Sequence, residues 1–261
     1  MNICAMKPLK LSLVVGLILG ATIPALHAAE LPATLMWADR TALSLPISGQ
    51  IQEVYVQAGQ TVPSGGLLVS LDARRLDARL AEARAAVKAL ERKRAEAQRE
   101  AKRADELYAR TVLSNVELEK AHIEQQKTEG EYQQALARLK LAEIELGYTK
   151  LIAPFDARIL QVMAHKGESI SPTTQAPTLV EVALANTVDA VAILKPNEAR
   201  TLNQVLKSGV PLTIDVEGQR VPGTVVGLES WRDGDYRLTV RAQAPAPEAW
   251  LSGLAAKIIT P

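Results

Sequence analysis

Two periodicities of apolar residues divide this chain. Around residues 46–62 and again around 154–170, apolar and polar positions alternate with the two-residue period of a half-buried strand, as at Val54 and Val56 and at Val162 and Ala164. The two stretches are copies. Pro46, Gly49, Ile51, Val54, Val56, Gly59 and Val62 recur as Pro154, Ala157, Ile159, Val162, Ala164, Gly167 and Ile170, each displaced by 108 residues without a gap. Gly59 and Gly167 stand where a tight turn between strands needs positive φ. One copy is too small to bury a core, so the pair is expected to pack face to face as a β-sandwich. Whatever lies between them must then leave the sandwich and return to it.

The intervening stretch has a helical period. No Pro occurs between Pro63 and Pro154, no Gly between Gly66 and Gly130, and the strong helix formers Ala, Glu, Arg, Lys, Leu and Gln dominate. A 4-3 spacing links Leu76, Leu80, Ala83, Val87, Leu90, Arg94, Ala97, Ala101, Ala104 and Tyr108. A second runs through Leu118, Ala121, Gln125, Thr128, Tyr132, Ala135, Leu139, Ala142 and Leu146. Heptads sustained over this length predict an antiparallel coiled-coil hairpin over 73–148. The break falls at 111–113, and Ser114 with Glu117 reads as a capping box opening the return helix. Antiparallel pairing about that break sets Arg94 near Thr128, either as a polar layer or with the Arg head reaching solvent. The first arm holds 12 basic and 7 acidic residues over 73–110, the second 4 and 7 over 114–146. Neighbouring hairpins aligned by these opposite signs are one expectation; ordinary pairs within a helix are the other.

Beyond the second copy, strand patterns cover 188–194, 210–216, 220–228, 236–241 and a final stretch through 251–258, with a short helix over 196–206 that begins near Asn197. Lys7 and Lys10, the apolar run Leu11–Leu19 and the small residues near Ala28 and Ala29 read as an export signal over 1–29. An uncleaved anchor is the alternative, although Gly16, Gly20 and Pro24 interrupt the run. The single cysteine, Cys4, precedes the apolar run, so it is not placed as a lipid-bearing cysteine, and a mature chain would carry no thiol.

Charge and chemistry narrow the function. With 30 Lys+Arg against 29 Asp+Glu, the balance gives no general attraction to nucleic acid or to acidic membranes. Apart from His27 in the export segment, the histidines are His122 and His165, in unrelated segments. The later methionines, Met36 and Met163, form no thioether set. No nucleophile motif or phosphate-binding glycine loop appears. An enzyme is not expected, nor a cofactor or metal site. A swinging-arm carrier would need a modifiable lysine at the turn between the halves, where Asp72 leads into the helical insertion and only Lys150 stands near the return. A purely structural coiled-coil protein accounts for the hairpin but not for the split β-module.

A β-module interrupted by a helical hairpin resembles the HlyD-type periplasmic adaptors, or membrane fusion proteins. Leu45-Pro46-Ile47-Ser48-Gly49-Gln50-Ile51, Val62-Pro63-Ser64-Gly65-Gly66-Leu67-Leu68 with Leu71-Asp72, and Ala153-Pro154-Phe155-Asp156-Ala157-Arg158-Ile159 carry the likeness, Ala157 standing where the family usually has Gly. The resemblance implies an elongated, multi-domain mixed α and β chain. Its parts are an N-terminal strand of the β-barrel over 30–44, lipoyl-like half 1 over 45–72, the hairpin over 73–148, lipoyl-like half 2 over 149–177 and a β-barrel domain over 178–261. It further implies an adaptor of the periplasm, associated with the inner membrane, that joins a transporter there to a TolC-like outer-membrane channel and self-associates into a ring, a hexamer being one expectation. A resistance-nodulation-division transporter is the first choice of partner and an ATP-driven exporter the second. Arg103, Leu107 and Ser114 have the spacing by which such adaptors resemble one another at the channel-docking tip. Arg103 also reads as a solvated helix charge and Ser114 as an N-cap, whereas Leu107 lies beside the seam.

Overall fold

The computed structural model describes residues 30–172, 176–207, 212–244 and 250–260, so the expected export segment falls outside the described residues. The repeat folds as one unit. Strands β2 (Thr41–Leu43), β3 (Gly49–Val54), β4 (Thr61–Val62), β5 (Leu67–Leu71), β6 (Lys150–Ile152), β7 (Ala157–Val162), β8 (Ser169–Ile170) and β9 (Val180–Leu184) form two four-stranded sheets, β2-β9-β7-β4 and β6-β5-β3-β8. The two copies exchange strands. In one sheet Thr61 pairs with Arg158 and Val62 with Ala157; in the other Gln50 pairs with Ser169 and Gly49 with Ile170. The turn glycines repeat the exchange. Gly59 N–H donates to the Ile159 carbonyl and Gly167 N–H to that of Ile51, both at 2.8 Å, and φ is +88° and +85°. Each copy therefore closes the other's sheet, which is why neither half has a core without its partner. Ile51, Leu68, Val69, Leu71, Ala157, Ile159 and Val182 fill the space between the sheets, each at most 2% exposed.

The helical period forms α1 (Arg74–Ala109) and α2 (Asn115–Gly147). Side-chain contacts 79–145, 93–131 and 105–122 show that they run antiparallel. At 1.5 Å per residue, α1 extends about 54 Å from the sandwich.

The remaining strands close a six-stranded barrel in the order β1-β10-β13-β12-β11-β14. They are β1 (Glu30–Trp37), β10 (Thr187–Leu194), β11 (Leu212–Val216), β12 (Gln219–Ser230), β13 (Tyr236–Gln243) and β14 (Ala255–Ile259). Leu35, Val188, Ala190, Ile214, Leu238, Val240 and Ile258 fill its interior. Between β10 and β11, α3 (Pro196–Lys207) turns Ala199 and Leu202 into that core.

Two expectations change, and a third falls partly outside the described residues. The sandwich passes both boundaries expected of it: β2, inside 30–44, and β9, beyond 177, pair with each other rather than joining the barrel. The last strand begins at Ala255, because Gly253 takes φ +95° and turns the preceding residues out of strand geometry. The strand expected over 210–216 is described from Leu212 onward.

Two crossings join barrel to sandwich, one between β1 and β2 and one between β9 and β10. They bond to each other, Ala38 N–H donating to the Thr187 carbonyl and Leu184 N–H to that of Ala38. Arg241 on β13 spans them, donating to Asp39 through both terminal nitrogens at 2.9 Å and to Asp189 at 2.8 and 3.0 Å. Arg158 stacks on Trp37 at 4.7 Å across the same joint.

Candidate docking site at the hairpin tip

The seam read from the 4-3 spacing supplies every buried residue of both arms: Leu76, Leu80, Ala97, Ala101 and Ala104 on α1, and Thr128, Ala135 and Ala142 on α2. The small residues let the backbones approach closely. The buried Thr128 hydroxyl donates within its own helix, to the carbonyls of Glu124 and Gln125. Arg94 therefore makes no polar layer with Thr128. Its guanidinium lies over the Tyr132 ring at 4.7 Å and bonds Glu129 at the seam's edge.

The uneven charge of the arms is used inside the hairpin. Arg79 meets Glu145, Lys93 meets Glu131 and Glu124, Arg94 meets Glu129, and Asp105 meets His122. Three of the twelve cations of the first arm, Arg79, Lys93 and Arg94, are thus paired with carboxylates of α2, which leaves less of the charge difference for neighbouring hairpins. The Lys93 hydrogen bond holds the Glu131 carboxyl below its ordinary range, and bonds from Gln133 and Arg94 do the same for Glu129.

At the tip, Arg110 to Ser114 reverse the chain. Thr111 takes φ +60°, rare for a β-branched residue. The Leu107 carbonyl accepts from Arg110 N–H at 3.2 Å and Val112 N–H at 3.0 Å, tying the turn to the end of α1. Ser114 and Glu117 form the expected capping box: Ser114 Oγ accepts from Glu117 N–H, and the Glu117 carboxylate accepts from Ser114 N–H and from its hydroxyl. These bonds hold the Glu117 carboxyl below its ordinary value.

Of the three residues named from sequence, Arg103 is ion-paired to Glu100 one turn back, at 2.7 Å, and Ser114 is committed to its cap. Leu107 is half-buried. Apolar surface at this end comes mainly from residues the sequence reading did not select: Val112, 71% exposed, Val116, 61%, and Tyr108, 45%. Val116 was legible as a residue two places into a capped helix and off the seam. The 4-3 spacing puts Tyr108 in the seam, but its side chain is exposed. Among the described residues no group of His, Cys, Asp or Glu could hold a metal ion, and no helix is long and apolar enough to cross a membrane.

Comparisons with known proteins point one way. No protein-family model matches the chain. The multidrug resistance protein MdtA of Escherichia coli is 25% identical over 182 residues, 70% of this chain and 44% of its own. MdtA of Escherichia fergusonii matches to the same extent. The chain therefore spans less than half the length of the curated relatives it matches. Among solved structures, the membrane fusion protein Spr0693 of Streptococcus pneumoniae superposes with a TM-score of 0.65 at 13% identity, over 88% of this chain and 98% of that one. A MacA-MexA chimera carrying the Pseudomonas aeruginosa MexA α-hairpin superposes with a TM-score of 0.62 at 19% identity, over 89% and 78%. At these identities the structural likeness establishes the fold.

Proposed function

We propose that this chain, an HlyD-type membrane fusion protein by fold and by sequence resemblance, is the periplasmic adaptor of a tripartite efflux system. In this role it is non-catalytic. The barrel and the lipoyl-like sandwich pack against an inner-membrane transporter, and the hairpin, as an antiparallel coiled coil, carries its tip to a TolC-like outer-membrane channel. The transporter supplies the transport energy; the adaptor supplies reach and a seal, as one copy in a ring. A resistance-nodulation-division pump is the partner we favour, in keeping with the likeness to a multidrug resistance protein.

The observation that carries this reading is the tip itself. A hairpin whose arms are linked by ion pairs ends in three exposed apolar side chains around a tied turn. Solvent-facing Val112 and Val116, at the point farthest from both β-modules, fit the apolar contact of one helix pair with another. Leu107 and Arg103 flank that patch, and Ser114 holds the return helix that presents it.

Photo-crosslinking in cells tests it, with a reactive residue at Leu107 or Val112 and a control at the mid-hairpin position Glu91. Capture of a TolC-like channel from the tip and not from 91 is expected. Capture of nothing but further copies of this chain, from a folded and exported protein, would remove the docking reading.

A further inference from the structure

The barrel has a free end. β1, β10 and β13 meet the sandwich at Trp37, Thr187 and Gln243, so their other ends, at Glu30, Leu194 and Tyr236, point away from sandwich and hairpin. The turn from β12 to β13 closes this far end, and it carries Trp231, 40% exposed. The tryptophan does not swing loosely. Arg237 lies against its ring at 4.3 Å and Arg232 at 5.7 Å, while Trp231 N–H donates to the Asp235 carbonyl at 2.8 Å. Arg237 is fixed in turn by Glu229 at 2.8 Å, and its buried Nε has no hydrogen-bond partner, so stacking under the indole is kept at the expense of one donor. The strand register sets Ile193, 48% exposed, opposite Arg237 on the same outer face.

We infer that this tip contacts the phospholipid surface of the inner membrane. The inference rests on the adaptor reading, which directs the hairpin to the outer-membrane channel and therefore turns the opposite end toward the inner membrane. The chemistry of the tip separates lipid from protein as the occupant. A stable protein contact needs roughly 800 Å² per partner with few charges at its centre. Here one rigid indole stands among charges that satisfy one another, Arg237 with Glu229 and Lys195 with Asp235. An amphipathic ring ringed by polar heads suits the boundary between headgroups and acyl chains, where tryptophan and snorkelling arginine concentrate. The cations of the tip, Arg232, Arg237 and Lys195, are outnumbered by Glu229, Asp233, Asp235 and Glu198, whose carboxylate accepts from Lys195 N–H, so the contact does not select anionic lipid. One ring binds weakly; several copies held in an assembly bind by avidity.

The test places a photo-reactive residue at Arg232 of the full chain in cells, with a control at Gln219 on the sandwich-facing side of the barrel. Adducts are identified by mass spectrometry, and channel capture from Leu107 is recorded in the same strain. Phospholipid adducts from 232 and none from 219 are expected. Trp231→Glu should lower their yield about tenfold or more, the scale of losing one buried aromatic, and Trp231→Phe should retain most of it. Capture of protein alone from 232, or equal lipid yields at 232 and 219, overturns the inference. Channel capture from 107 without lipid at 232 sinks the lipid contact alone. Lipid at 232 without channel capture sinks the adaptor reading on which the orientation rests.

Discussion

The barrel and the hairpin are held together by different means. The barrel encloses large branched side chains, with Leu35, Ile214, Leu238 and Ile258 showing no exposed surface, and its closed ladder leaves no long edge. The hairpin buries only Leu76 and Leu80 near its base and alanines and one threonine farther out. Its two arms depend on helix propensity, on close approach across small residues and on flanking ion pairs. Surface ion pairs contribute little each, so the distal hairpin is stable chiefly through length and through the sandwich that fixes both its ends. A chain built this way keeps one rigid end and one slender, solvent-facing reach.

The comparison breaks first in the barrel. Leu238→Ala removes a fully buried side chain from a core that cannot collapse around it and should cost about 2–5 kcal/mol. Chemical denaturation followed by Trp250 fluorescence reads this loss, since Trp250 is 2% exposed within the same core. A loss below about 1 kcal/mol would show that the barrel is loosely packed. The hairpin should answer to the opposite change. Ala101→Leu inserts bulk where the helices touch and should destabilise by roughly 1–3 kcal/mol. Ala89→Leu, on the exposed face, should be near neutral because Ala and Leu differ little in helix propensity. Equal effects of the two in thermal unfolding by far-ultraviolet dichroism would mean that the seam is not where the spacing puts it.

The joint between the regions comes next in size. Arg241→Gln leaves Asp39 and Asp189 facing each other without the guanidinium they share. The loss should be about 1–2 kcal/mol, held down by solvent because the Arg241 side chain is 30% exposed. The more telling readout is geometric. The distance between spin labels on the hairpin and the barrel should broaden in the variant, and an unchanged distribution would show that the backbone bonds at Ala38 and Leu184 suffice to fix the two modules.

These regions also differ in how far the sequence disclosed them. Repeat, seam and capping box were readable because each depends on spacing: Gly59 and Gly167 at one offset, alanines on a heptad, Ser114 three residues before Glu117. What spacing cannot show is pairing across distance. Nothing in the alternation of Val180–Leu184 tells whether it joins β7 in the sandwich or continues into the barrel, because a strand's period is the same in both. The charge excess of α1 likewise fits a neighbour or the other arm equally well until Lys93 is seen beside Glu131. At the tip, the trio Arg103, Leu107 and Ser114 follows from pattern and Val116 from its place just inside a capped helix, whereas Val112 needed the turn geometry that exposes it.

The smallest expected effect lies at that turn. Ser114→Ala removes the side-chain half of the capping box, leaving the residue-114 backbone N–H to the Glu117 carboxylate, and should cost about 1 kcal/mol, felt locally as fraying of the first turn of α2. Faster amide exchange at Glu117 and Leu118, with the barrel unchanged, is the measurement. The same box gives a pH signature. The Glu117 carboxyl is held below its ordinary value by the Ser114 hydroxyl and backbone N–H, so its contribution is complete above the ordinary carboxylate range and is lost as pH falls through the lowered value. Protection at Glu117 should therefore decline on acidification in the native sequence. In Ser114→Ala the largest cause of the shift, the hydroxyl, is removed while the backbone N–H remains, so the pH dependence should move part of the way up toward the ordinary glutamate range. If both proteins lost protection over the same interval, the turn would be governed by the strained Thr111 backbone rather than by the cap, and Thr111→Gly, which relieves that strain, would become the variant that stabilises the tip.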